Sequence, residues 1–168
     1  MRLKHGILTI PIVLLCLSIH AEAGVKTSPF TFKTLDNEIV HIDSLLQKGP
    51  VLFTFWALWC KPCKEEMHAI NRVRDQHPFD KITVVSVNLD TPRSMARVKS
   101  YVSTLDFPFV FCKDPSQDLL RRFTGVGIPY TVFITENREI ELKHSGYVPG
   151  DEKTLQKEIS RYVDKEEK

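Results

Sequence analysis

Val51-Leu52-Phe53-Thr54-Phe55-Trp56-Ala57-Leu58-Trp59-Cys60-Lys61-Pro62-Cys63-Lys64-Glu65-Glu66 is the stretch on which the reading of this chain turns. Val51 to Trp59 is nearly continuously apolar, the pattern of a strand buried on both faces. A helix is predicted to follow from Lys61 to about Gln76, with Pro62 in its first turn, where a missing N–H costs nothing. This order puts Cys60 at the mouth of a helix and Cys63 one turn inside it. A thiolate at that point meets unsatisfied N–H groups and the positive end of the helix dipole, which lowers its pKa. Cys60 is therefore the expected nucleophile and Cys63 the residue that resolves a mixed disulfide, with Lys61 and Lys64 adding positive charge. The same spacing also suits half a zinc site or an inert disulfide. Zinc requires a second pair of ligands, however, and the chain offers only Cys112 and scattered histidines. No metal is expected, and the strand-to-helix context favours a redox dithiol.

Working outward, Phe30 to Lys33 and Ile39 to Ile42 alternate apolar and polar around a turn at Leu35-Asp36-Asn37-Glu38, which reads as a hairpin. Asp43 or Ser44 is placed to cap a short helix ending near Gly49-Pro50. Downstream, strands are predicted at Ile82 to Leu89, Phe107 to Phe111, Tyr130 to Ile134 and Glu139 to His144, and helices from Pro92 to about Ser103 and from Pro115 to Phe123. Asp151 to Val163 closes the domain as an amphipathic helix with Leu155, Ile159 and Tyr162 on one face. Alternating strands and helices with a final antiparallel hairpin imply an α/β fold, a central mixed sheet flanked by helices.

The chain has 168 residues, 42% hydrophobic and 26% charged, enough for one globular domain and too apolar for a disordered one. A net charge of +2 without a clustered basic face excludes a nucleic-acid partner. Arg2 and Lys4, the apolar run from Ile7 to Ile19 and Ala21-Glu22-Ala23 describe a secretory signal over 1–23, with an uncleaved membrane anchor as the alternative. Cleavage removes Cys16 and sends Cys60, Cys63 and Cys112 to a periplasmic or other extracytoplasmic compartment where disulfides persist. The expected organisation is a signal over 1–23, a linker over 24–28, the domain over 29–163 and a charged, fraying tail over 164–168. Cys112 reads as a buried small hydrophobe. His68, His77 and His144 share no ligand spacing and read as surface residues. Gly127-Ile128-Pro129-Tyr130 precedes a buried strand, where a proline is by itself unremarkable because no ladder N–H is needed.

Trp59-Cys60-Lys61-Pro62-Cys63 at a helix head, Gly127-Ile128-Pro129 before a strand, and a closing hairpin and helix together resemble the thioredoxin fold, over about Phe30 to Val163. Within that superfamily the chain resembles the exported TlpA/ResA-type reductases, which include cytochrome c biogenesis proteins. The N-terminal β-hairpin, the signal and an extra strand–helix insert before Pro129 point there. The resemblance implies that Pro129 is cis and packs against the dithiol, and that Ile128 offers backbone groups to an extended substrate segment. Trp59 is expected to belong to the same substrate platform. Thioredoxins proper carry a buried Asp six positions before the first Cys, where this chain has Thr54. Glu66 is the replacement candidate: it lies three residues after Cys63 on the helix face shared with Met67 and Ile70, and TlpA/ResA-like reductases place an acid there. A carboxylate against apolar surface has a raised pKa and can exchange a proton with Cys63.

The resemblance implies a thiol–disulfide oxidoreductase that reduces a disulfide-bearing client protein, in cytochrome c maturation or disulfide repair. A membrane thiol donor would re-reduce it. The expected protein is a monomer with no cofactor beyond the redox-active Cys60–Cys63 disulfide. Two alternatives stay open: a disulfide-forming oxidant, toward which Lys61 beside the nucleophile leans, and a non-enzymatic Cu(I)-handling module. Thiol peroxidases share the fold but carry a Thr three residues before the reactive Cys, where Ala57 stands.

Overall fold

Three apolar runs form the middle of the sheet: β4 (Val51–Trp56), β5 (Thr83–Asn88) and β7 (Tyr130–Ile134). Their β-branched and aromatic side chains fill both faces of a pleated surface. The computed structural model describes residues 25–166; the signal expected over 1–23, Cys16 included, lies outside them. Around the central strands lie β1 (Val25–Lys26), β2 (Thr31–Thr34), β3 (Ile39–His41), β6 (Val110–Lys113) and β8 (Glu139–Ser145). The helices are α1 (Ile42–Leu46), α2 (Lys61–Val73), α3 (Met95–Val102), α4 (Asp118–Arg122) and α5 (Asp151–Glu166). The sheet order is β1-β8-β7-β4-β5-β6-β2-β3, with β4, β5 and β6 parallel and every other pairing antiparallel. This is the thioredoxin-like α/β fold with an N-terminal hairpin, and two strand–helix units separate α2 from β7.

Alternation along β4 divides the core. Val51, Phe53 and Phe55 face α1 and α4, where Phe30, Phe32, Leu45, Leu120 and Phe123 close a layer of aromatic and aliphatic side chains. The Phe53 and Phe123 rings lie 5.4 Å apart and the Phe30 and Phe123 rings 5.7 Å apart. Leu52 and Trp56 point the other way, toward Met67 and Ile70 of α2, Val98 of α3, and Leu155, Ile159 and Val163 of α5. Each fully buried side chain of this size contributes about 1.5–3 kcal/mol from removal of apolar surface from water.

Several boundaries differ from the sequence expectation, each for a local reason. β4 stops at Trp56 because the next N–H groups turn to other partners: Leu58 N–H donates to Asp90 and Cys60 N–H to the Ala57 carbonyl. β6 begins at Val110, three residues late, since Pro108 has no N–H for the ladder and Phe107 and Phe109 stack at 5.2 Å instead. α4 begins at Asp118 and not at Pro115, because the buried Asp114 carboxylate accepts from the N–H groups of Asp118, Leu119 and Leu120. α1 starts at Ile42, with His41 at the N-cap position expected for Asp43 or Ser44, and has no side-chain cap. Ser44 donates to the His41 carbonyl, and Asp43 pairs with Arg138 at 3.1 Å. The segment 24–28, expected as a linker, carries β1, paired with Ile140 and Glu139 of β8. The tail expected from Asp164 instead continues α5 to Glu166, with Asp164 Oδ1 2.8 Å from His77 Nε2.

Candidate active site

The turn from β4 into α2 is held from both sides. Leu58 N–H donates to Asp90 Oδ2 at 2.7 Å, and Asn88 Nδ2 donates to the same oxygen at 2.9 Å. Lys64 Nζ donates to the Leu58 carbonyl at 3.0 Å, reaching back from the first turn of α2. Both backbone groups of Leu58 are thereby satisfied, which keeps the segment carrying Trp59 and Cys60 in one conformation. Cys60 is the N-cap of α2, its sulfur 3.3 Å from the Cys63 N–H, and Pro62 lies in the first turn. Cys60 and Cys63 are joined as a disulfide with their Cα atoms 5.4 Å apart. Cys63 is fully buried and Cys60 is 4% exposed, so what little of the pair meets solvent belongs to Cys60.

The lysines expected to favour a thiolate are occupied elsewhere. Lys61, with its side chain 86% exposed, sits 3.6 Å from Glu65, and Lys64 lies over the Tyr101 ring as well as on Leu58. What remains beside Cys60 is the N-terminus of α2 itself, with the Cys63 N–H directed at the sulfur.

Beneath the disulfide a polar row crosses the sheet on its α2 face. The pairing places Thr54 of β4 opposite Thr131 of β7 and opposite Ser86 of β5. Glu66, 3% exposed, descends from α2 into this row. Thr54 Oγ1 donates to Glu66 Oε2 at 2.8 Å and Thr131 Oγ1 to Oε1 at 2.9 Å. Ser86 Oγ donates to Met67 Sδ at 3.1 Å. Burial pushes the Glu66 carboxyl up from 4.5 to about 7 despite these two hydroxyl donors and the nearby His144, which favour the charged form.

β7 runs antiparallel to β4, so its first residue, Tyr130, pairs with Phe55 and brings the preceding loop to the end of β4 where α2 begins. That loop holds Ile128 and Pro129, joined by a cis peptide bond, as the family resemblance implied and the proline alone did not. Pro129 is buried and its carbonyl accepts from Gly146 N–H at 2.8 Å; Ile128 is half-buried against both halves of the core. Trp59 stands 75% exposed next to Cys60, while Trp56 is fully buried. The fold thus gathers Trp59, Cys60, Cys63, Glu66, Ile128 and Pro129 at one end of the sheet.

Cys112 is fully buried in β6, and burial raises its thiol far above the ordinary range, which makes it inert at neutral pH. Among the described residues no group of three or more His, Cys, Asp or Glu is placed to hold a metal. His144, read as a surface residue, is instead half-buried and lies 3.6 Å from Asp151, because β8 is covered there by the start of α5. Sequence reasoning also missed Thr131 and Asp90 and did not connect Thr54 with Glu66. A signal existed: Thr54, Ser86 and Thr131 each interrupt an apolar stretch within β4, β5 and β7.

Comparison with known proteins agrees with this geometry. The model of the AhpC/TSA family matches residues 23–143. The chain is 30% identical over 148 residues to the sporulation thiol-disulfide oxidoreductase A of Bacillus subtilis, covering 83% of this chain and 88% of that protein. It is 25% identical over 126 residues to the thiol-disulfide oxidoreductase ResA of Halalkalibacterium halodurans, covering 75% and 70%. Among solved structures, a putative thiol:disulfide interchange protein DsbE from Chlorobium tepidum superposes with a TM-score of 0.71 at 25% identity, over 82% of this chain and 95% of that one.

Proposed function

Because the chain belongs to the AhpC/TSA family and is a thiol-disulfide oxidoreductase, we propose that it works outside the cytoplasm as a reductant of disulfides in client proteins, of the kind needed in cytochrome c maturation or disulfide repair. The observation that carries this reading is the buried Glu66 carboxyl, which burial pushes toward neutrality, three residues along α2 from Cys63, with the flanking lysines engaged by Glu65 and the Leu58 carbonyl.

In the reduced form the Cys60 thiolate attacks one sulfur of the client disulfide, forming a Cys60–client bond and expelling the second client sulfur as a thiolate. Glu66, ionised, takes the proton of Cys63. The Cys63 thiolate then attacks Cys60, closing the intramolecular disulfide and releasing the client's other thiolate. Two electrons pass to the client, and the two protons lost by the dithiol balance those gained by the client thiols. A dithiol donor at the membrane runs the same exchange in reverse to restore the enzyme. Trp59 and Ile128 flank Cys60 and form the platform for an extended client segment, with Pro129 fixing the direction of the Ile128 backbone.

The reducing direction is supported by what surrounds Cys60. A strong oxidant needs its reduced thiolate stabilised. Here Lys61 pairs with Glu65 in solvent and Lys64 with the Leu58 carbonyl, which leaves the helix N-terminus as the main stabilising field. Export is supported by the leader-like sequence over 1–23, and no helix among the described residues is long and apolar enough to cross a membrane.

The test is the potential of the Cys60–Cys63 couple, equilibrated against defined thiol buffers with Cys112→Ala to remove the third thiol. A value near the thioredoxin end, about −270 mV, is expected; one near the strongly oxidising end, about −120 mV, overturns the reducing direction.

A further inference from the structure

The polar row on the α2 face does not end at Thr131. The next strand outward, β8, places His144 directly opposite Thr131. Paired residues on neighbouring strands project to the same side of the sheet, so the imidazole lies on the side that receives Glu66. Its Nε2 is buried without a hydrogen-bond partner and 3.6 Å from Asp151 Oδ2. Asp151 opens α5, where the helix N-terminus favours a carboxylate, and its Oδ2 also accepts the Val148 N–H at 2.8 Å. One imidazole therefore stands among two carboxylates, Glu66 from α2 and Asp151 from α5.

We propose that His144 is a positioning residue for the thiol chemistry: as an imidazolium held by Asp151 it stabilises the Glu66 carboxylate, so that proton loss from His144 is coupled to proton retention by Glu66. This deepens the proton role given to Glu66 above and rests on it. The remaining groups on these elements do not substitute for His144. β4 and β7 contribute only the hydroxyls of Thr54 and Thr131. From the loop before α5 and its first turn, Tyr147 donates to Glu152 at 3.1 Å, and Arg72 of α2 acts on that pair. Lys143, the residue before His144 on β8, points to the other face and donates to Thr124 at 3.0 Å. Of the charges felt at Glu66, His144 favours ionisation and Asp151 opposes it.

The experiment follows the Glu66 carboxyl carbon by NMR across pH in the oxidised protein labelled at Glu, with Glu66→Gln to assign the signal. Wild-type protein is expected to titrate near pH 7. His144→Gln is expected to move that midpoint up by about half a pH unit or more, a roughly threefold or greater fall in the ratio of ionised to protonated carboxyl. His144→Lys, which keeps a cation through this range, is expected to hold the midpoint at or below the wild-type value, and it guards against a loss that is merely structural. A wild-type midpoint near 7 that is unchanged in His144→Gln overturns the role of His144 and leaves that of Glu66 standing. A wild-type midpoint at an ordinary carboxylate value removes both.

Discussion

The two faces of β4 are one strand's width apart and solve opposite problems. Toward α1 and α4, Val51, Phe53 and Phe55 meet only apolar partners, a layer built for stability. Toward α2, Leu52 and Trp56 bracket Thr54, and the row through Thr131, Thr54 and Ser86 admits a carboxyl group to the interior. Burying Glu66 is costly when it is ionised. Two hydroxyl donors reduce that cost without removing it, which leaves the group titrating near neutrality. The contrast is between a face that is apolar throughout and a face that packs an apolar core around one half-satisfied carboxyl.

The comparison is broken most severely from the apolar side. Phe53→Ala should cost about 3–5 kcal/mol in urea denaturation, from lost burial and the cavity left among Phe30, Phe32 and Phe123. It should leave the pH dependence of thiol–disulfide exchange where it was. A shift in that profile would mean that the two faces are not independent.

Glu66→Gln attacks the other face and should act in the opposite direction. In the unfolded chain Glu66 ionises near its ordinary 4.5, while in the folded protein it keeps its proton to about 7. Between those values the folded state binds more protons, so stability falls as pH rises, and the full penalty is present above pH 7. It amounts to about 3 kcal/mol for a shift of this size. Gln carries no such penalty. The variant should match wild type near pH 4.5 and exceed it by about 3 kcal/mol at pH 8, while its exchange rate loses the inflection near 7. A stability difference that does not vary with pH would count against the buried-acid assignment.

The smallest effect sharpens the picture within the row. Thr131→Val keeps the β-branched shape and removes one donor to Glu66 Oε1. Hydrogen bonds to a charged group are worth about 1.5–3 kcal/mol, so the Glu66 midpoint should rise by about one pH unit or more. Ser86→Ala, whose hydroxyl serves Met67, should leave it in place. Equal responses from the two variants would show that the row acts through packing and not through its hydrogen bonds.

Much of this was legible in order along the chain. The run Val51 to Trp59 followed by Cys60-Lys61-Pro62-Cys63 carries its own structural instructions: apolar continuity makes the central strand, and Pro62 and the change of periodicity start the helix. Glu66 could be assigned to the helix face of Cys63 because residues three apart lie on one side of a helix. Boundaries were less legible where a side chain claimed a backbone N–H, as Asp90 does at Leu58 and Asp114 at the start of α4. His144 was misjudged because the absence of a ligand spacing with His68 and His77 says nothing about burial, and only the approach of α5 to β8 buries Nε2.

The sequence by itself determined the α/β class, the dithiol at a helix mouth and the acid one turn behind it, because strand, helix and their junction depend on neighbours within a few residues. The tertiary structure alone decided what surrounds that acid. Thr54, Thr131 and His144 come from three strands, and only the register of the sheet aligns them in one row. Whether a carboxyl is solvated, paired or left half-satisfied in the interior depends on groups that meet only after the chain has closed on itself.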